Sequence, residues 1–193
     1  MLSNDPAHVY IRSWPVSREV DTHRLTPLQI HTYPDGVPLV RKLPYVDTHE
    51  NLSLLLRPRG MTDFIAGLFW VDAYRERHSL GSVKLVLPFV PGARQDRLNN
   101  QGDYLFTAKS VAHMINARAF SSVVILDPHS EVISGLIDRC KVVHSHELGI
   151  VKEVLTGLYG AVISPDAGAE KRASALASVL MYLFSTHGKY EVW

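Results

Sequence analysis

The sequence predicts an α/β fold: a largely parallel, doubly wound sheet with helices on both faces, preceded by an N-terminal β-hairpin region. Three observations predict it. Short, almost continuous apolar runs stand at 83–90, 122–126 and 161–164, the pattern of strands buried on both faces. Segments whose apolar residues recur at three and four alternate with these runs, as crossover helices do. Before residue 60 the chain shows only short β-type runs broken by turn residues.

Taken in order, the β-type runs are 8–14, 28–33, 38–43 and 51–57, with Pro34-Asp35-Gly36 as a hairpin turn between the middle two. From Thr62 the period changes, and Phe64, Leu68, Val71 and Tyr74 or Arg75 share one helical face. Thr62 or Asp63 is the expected cap of that helix, which should end near Gly81. Further helices are expected at about 106–117, 147–158 and 169–180. The chain carries no fixed-period repeat, low-complexity tract or Gly/Ser linker, and it reads as one domain.

Composition excludes several classes. Among 193 residues, 20 Lys and Arg stand against 19 Asp and Glu, so no single-sign field is available and no nucleic-acid partner is expected. At 46% hydrophobic and 20% charged, the chain falls in the ordinary globular range. The longest apolar stretch, 64–71, ends at Asp72, far short of the ~20 residues that span a membrane. The first residues lack the basic and apolar regions of a secretory signal. A single cysteine, Cys140, forms no internal disulfide, so a cytoplasmic location is expected.

In sheets of this kind ligands sit beyond the carboxyl ends of the strands. After 83–90 comes Pro91-Gly92-Ala93-Arg94-Gln95-Asp96-Arg97, whose two guanidinium groups suit phosphate oxygens. A solvated loop in which Asp96 neutralises its own arginines accounts for the same residues. No Gly-x-x-x-x-Gly-Lys-Ser/Thr occurs, which excludes a P-loop. After 122–126 comes Asp127-Pro128-His129, a carboxylate and an imidazole two apart and so on one side of an extended segment. Either they share an ion or His129 is structural; Mg2+ prefers oxygen donors.

After 161–164 stands Pro165-Asp166-Ala167-Gly168, where Asp166 is either a plain N-cap or part of a helix start that an anion approaches. Tyr33-Pro34-Asp35-Gly36 offers a nucleobase an aromatic face and a carboxylate, and is explained more simply as a turn. Three constellations on three successive strand ends point to one ligand site. Cys140, between Arg139 and Lys141, has no evident base partner, and His144 and His146 receive no role.

Four segments together resemble the ribose-phosphate pyrophosphokinases (phosphoribosyl pyrophosphate synthetases): PFVPGARQDR at 88–97, TAKSVAHMI at 107–115, VVILDPHSEVISGLID at 123–138 and VISPDAGAEKRA at 162–173. The resemblance covers about 32–180 and implies a phosphoribosyltransferase-like domain, the N-terminal half of such an enzyme. The family moves the β,γ-diphosphoryl group of MgATP to the 1-hydroxyl of ribose 5-phosphate, giving phosphoribosyl pyrophosphate and AMP. By that resemblance Arg94 and Gln95 bind ATP with Asp96 and Arg97 beside them. Asp127 and His129 lie at the Mg2+ site, His129 through water, and Asp166 holds the second metal position. Tyr33 and Asp35 match the adenine-binding loop, which the family places across a subunit boundary; Val37 stands where the family has a glutamate.

The resemblance implies a domain at 1–180, followed by a divergent tail at 181–193. Nothing after Leu180 resembles the family's catalytic Lys/Arg loop or its second, ribose-phosphate-binding domain, so the chain is expected to be truncated, with its catalytic residues unassigned. One set of codons for the tail, read from a preceding A, spells Asn-Val-Pro-Phe-Phe-His-Ala-Arg-Lys-Val-Arg-Gly-Val. That string resembles the family's continuation and points to a one-nucleotide frameshift. The expected partners are ATP, ribose 5-phosphate in the complete family enzyme, and either a homo-oligomer or a full-length synthetase. Two rival readings are a non-catalytic regulatory or assembly subunit of that synthetase and a compact phosphoribosyltransferase; against the latter, no Asp-Asp-x-x-x-Thr-Gly-type loop is present.

Overall fold

Alternating apolar side chains organise the sheet. The computed structural model describes residues 9–14, 26–40, 51–77, 82–98, 105–144 and 162–184. In chain order these form β1 (Val9–Trp14), β2 (Thr26–Pro27), β3 (Ile30–Thr32), β4 (Pro38–Val40), β5 (Asn51–Leu56), α1 (Met61–Arg77), β6 (Val83–Leu87), α2 (Thr107–Asn116), β7 (Ser122–Leu126), α3 (Val132–Leu136), β8 (Cys140–Val143) and α4 (Glu170–Phe184). By its contacts the chain divides into two compact units, 1–142 and 143–193.

The main sheet runs β2-β1-β5-β6-β7-β8, with β5, β6 and β7 parallel and β1 antiparallel to β5. The register places Leu54 beside Leu85 and Leu85 beside Val123, all buried. Leu52, Leu56, Val83, Leu87 and Ile125 complete that buried face. The opposite face of β6 and β7, with Lys84, Val86, Val124 and Leu126, is only half-buried. The continuous apolar runs therefore fold as alternating strands, because one face carries the dense core and the other tolerates a lysine stem.

Helix α1 buries Phe64, Leu68, Val71 and Tyr74, the expected face, together with Trp70. Its Gly67 lies so close to β5 that an added Cβ would stand 2.8 Å from Leu56 Cδ1. The expected caps are corrected: Gly60 accepts the first helical bond, from the Phe64 N–H at 3.2 Å. Asp63 instead sits inside the first turn, where it accepts from the Arg59 backbone N–H and Nε, each at 3.1 Å. Arg75 leaves the buried face and donates to the carbonyls of Arg118 and Ala119 at the end of α2, with its guanidinium 5.8 Å from the Phe120 ring centre. Arg118 in turn donates to Asp72 at 2.7 Å, which ties α1 to α2.

Helix α2 buries Ala108, Val111, Ala112 and Ile115, the i, i+3, i+4, i+7 stripe of an amphipathic helix. Three short elements escaped the sequence reading: β2, α3 and β8. Each is five residues or fewer, too short for a period to show. The expected strand at 28–33 narrows to Ile30–Thr32. At 162–164 only Val162 forms a bridge, and α4 continues past 180 to Phe184. The expected helix at 147–158, the end of the first helix at 78–81, strand residues 41–43, His146 and the tail from 185 lie outside the described residues.

Candidate functional site

The loop after β6 is shaped by one glycine. Gly92 takes φ +72°, and an added Cβ there would stand 2.8 Å from Thr107 Cγ2 in the first turn of α2. Successive turns follow, with the Ala93 N–H donating to the Val90 carbonyl at 3.3 Å and the Gln95 N–H to the Gly92 carbonyl at 2.9 Å. The Gln95 carbonyl then accepts from the Ala108 N–H at 3.1 Å. Phe106, at the cap position of α2, makes no side-chain cap bond, so the loop supplies a partner to a donor that the helix cannot satisfy internally. Val90 and Ala93 are buried, while Arg94, Gln95 and Arg97 are exposed.

Asp96 faces the other way. It is only 5% exposed, and among the described residues it is the buried side chain that carries a charge. Its Oδ2 accepts from the Ser130 hydroxyl at 2.5 Å and its Oδ1 from Arg97 Nε at 3.3 Å. The Ser130 hydroxyl, and after it the Arg97 guanidinium, hold the Asp96 carboxyl below the ordinary carboxylate range against the opposing effect of burial. Of the expected solvated loop, the Asp96–Arg97 ion pair is present, but Asp96 itself is buried rather than solvated. Ser130 was missed, because a bond between residues 34 apart leaves no local pattern in the chain.

The loop after β7 begins with a left-handed residue. Asp127 has φ +40°, a left-handed conformation that few residues other than glycine adopt without cost. The extended segment expected for Asp127 and His129 is therefore corrected, and the two-apart spacing does not place them on one side. Asp127 is half-buried and His129 exposed. Among the described residues no three His, Cys, Asp or Glu side chains converge as a metal cluster. Mg2+ is commonly held by one or two carboxylates with waters and substrate phosphates completing its shell, and the half-buried Asp127 is a donor of that type on this loop.

In the second unit, Asp166 Oδ1 accepts from the Ala169 N–H at 2.9 Å, and its carbonyl accepts from the Ser164 hydroxyl at 2.7 Å. The Ala173 N–H bonds the Ala169 carbonyl at 2.9 Å. Ala169 is thus the cap of α4, and Asp166 closes the turn before it. In the hairpin, Asp35 Oδ1 accepts from the Val37 N–H at 3.0 Å, and the Tyr33 and Val37 backbones pair across the turn. That geometry is the plain turn; Tyr33 remains exposed, edge-on to His31 with ring centres 5.8 Å apart. Cys140 is half-buried, and burial pushes its thiol up, away from a reactive thiolate.

No family profile matches the chain. It is similar to the ribose-phosphate pyrophosphokinase of Corynebacterium efficiens, 32% identical over 185 residues that cover 93% of this chain and 55% of that protein. The pyrophosphokinase of Pyrococcus furiosus is 26% identical over 172 residues, covering 87% of this chain and 59% of that protein. Its fold is shared by the crystal structure of phosphoribosylpyrophosphate synthetase from Mycobacterium smegmatis, with a TM-score of 0.67 and 23% identity over 86% of this chain and 54% of that one. The chain thus spans about half the length of the curated relatives it matches. In sequence it is similar to ribose-phosphate pyrophosphokinases over the N-terminal half of their length, and its α/β fold is phosphoribosyltransferase-like.

Proposed function

We propose that this chain is the N-terminal half of a ribose-phosphate pyrophosphokinase and carries the MgATP side of its site. The supporting observation is that β6 and β7 pair in parallel, with Leu87 beside Ile125, so the loops bearing Arg94 and Gln95 and bearing Asp127 and His129 leave the same edge of the sheet. Ligands of open parallel sheets collect at that edge. Exposed Arg94 and Gln95 bind the ATP phosphates, and Asp127 and His129 would hold Mg2+, His129 through water. Asp166 serves a second metal position, and Tyr33 and Asp35 serve the adenine.

Magnesium, when bound, neutralises phosphate charge. The chain's own groups orient the nucleotide, and transfer of the diphosphoryl group to ribose 5-phosphate needs the remainder of the family enzyme. The 193-residue chain by itself therefore binds MgATP and releases little AMP. Calorimetry on the wild type and on Arg94→Ala tests this. A charge-assisted bond of about 1.5–3 kcal/mol predicts a loss of roughly 10- to 100-fold in affinity. A wild type that does not bind MgATP, or a variant that binds equally well, refutes the reading.

A second reading, as a regulatory or assembly subunit that associates with a full-length synthetase, is favoured by one surface. Leu39, Phe69, Trp70, Ala73 and Arg77 line a cleft of about 310 Å3 between β4 and α1, and Leu39 and Phe69 are exposed there. Co-purification with a complete synthetase that Phe69→Asp abolishes would support this reading over the first.

A further inference from the structure

We propose that Ser130 is a positioning residue: by holding the buried Asp96 carboxylate, it sets the spacing between the Arg94–Gln95 loop and the Asp127–His129 loop. This rests on the function proposed above and assigns to Ser130 and Asp96 a part in it that does not involve touching ATP or metal.

A buried carboxylate requires partners, and among the described residues Asp96 accepts side-chain bonds from Arg97 and Ser130. The Arg97 contact is 3.3 Å long and comes from a side chain that is 83% exposed, where solvent weakens it. The Ser130 contact is 2.5 Å, at the short end for a hydroxyl on a carboxylate. The Ser130 bond, donated by a half-buried residue, is the one that crosses between loops. The β6–β7 ladder pairs Leu87 with Ile125, so both loops have already left the sheet when Ser130 and Asp96 meet.

Each loop also has its own local anchor. The first docks on α2 through Gln95 and Ala108, and the second turns at Asp127 with φ +40°. Those anchors shape the loops singly; the Ser130–Asp96 bond relates one to the other. The same bond draws the Asp96 charge inward, so a second carboxylate does not face the phosphates beside Arg94. Sites that bind a nucleotide and its metal together depend on such relative placement, and misplacements of about 1 Å cost up to about 100-fold.

The test is the ratio of affinities of the full chain for ATP with Mg2+ and for ATP with the metal chelated. Ser130→Ala should lower that ratio by about fivefold or more, the lower range of ordinary site-to-site coupling. Its metal-free ATP affinity should stay close to wild type, because the Arg94 loop keeps its docking on α2. Ser130→Thr, which retains the hydroxyl, should restore the ratio, and Asp96→Asn should lower it. Circular dichroism confirms that each variant is folded. An unchanged ratio in folded Ser130→Ala, a loss of equal size with and without Mg2+, or failure of the threonine to rescue overturns the positioning role while leaving MgATP binding intact. A wild type that binds no ATP overturns the underlying function, and the positioning role with it.

Discussion

At the scale of single residues, two groups carry more than their chemistry suggests. Gly92 combines φ +72° with a backbone pressed to 2.8 Å from Thr107 at the Cβ position. Gly92→Ala adds left-handed strain of about 1–2 kcal/mol and a clash besides, so urea unfolding should report at least that loss. Asp96 carries the second effect. Its folded-state carboxyl is held low, first by Ser130, so folding favours its ionised form. The stability this contributes is present above the unfolded value of about 4 and is lost as pH falls through the lower folded value. Melting temperature measured down the acid limb should fall for the wild type, and the fall should be shallower in Ser130→Ala. An equally steep limb in the variant would show that Ser130 is not the cause.

At the scale of elements, the central strands hold the site because their buried faces are in register. Leu85 is fully buried between Leu54 and Val123 in neighbouring strands. Truncating it to alanine leaves a cavity with no neighbour free to fill it, at a cost of about 2–5 kcal/mol, and a chemical-denaturation midpoint checks this. Helix α2 shows a different dependence. Its first turn takes a partner from Gln95 of the preceding loop, so the loop and the helix stabilise each other. The strands at Ser122–Leu126 and Asn51–Leu56 and the helix at Thr107–Asn116 were legible because their periods are strong and undisturbed. Helix α3 and strand β8 were not, since five- and four-residue elements carry no measurable period. The start of α1 was misread for a related reason: Asp63 has the chemistry of a cap, yet Gly60 occupies the position where the first helical bond closes.

At the scale of the whole molecule, nearly equal numbers of acidic and basic residues give a pI of about 7.9. Net charge near zero promotes association, so solubility should pass through a minimum near pH 8, measurable by light scattering across a pH series. The family resemblance and the longer strands and helices were legible in the chain, since motifs and periods are local properties of consecutive residues. So were the loops to inspect, because apolar runs mark where strands end. The hairpin at Tyr33 and Asp35 read more simply as a turn than as a base contact; the Asp35–Val37 bond closes that turn and leaves the Tyr33 ring exposed. What only the tertiary structure decided is which side chains in those loops face solvent and which hold the loops together. Arg94 and Asp96 stand two apart in one motif, yet one is exposed and the other buried against Ser130. That division arises from a contact across 34 residues, which exists only once β6 and β7 lie side by side.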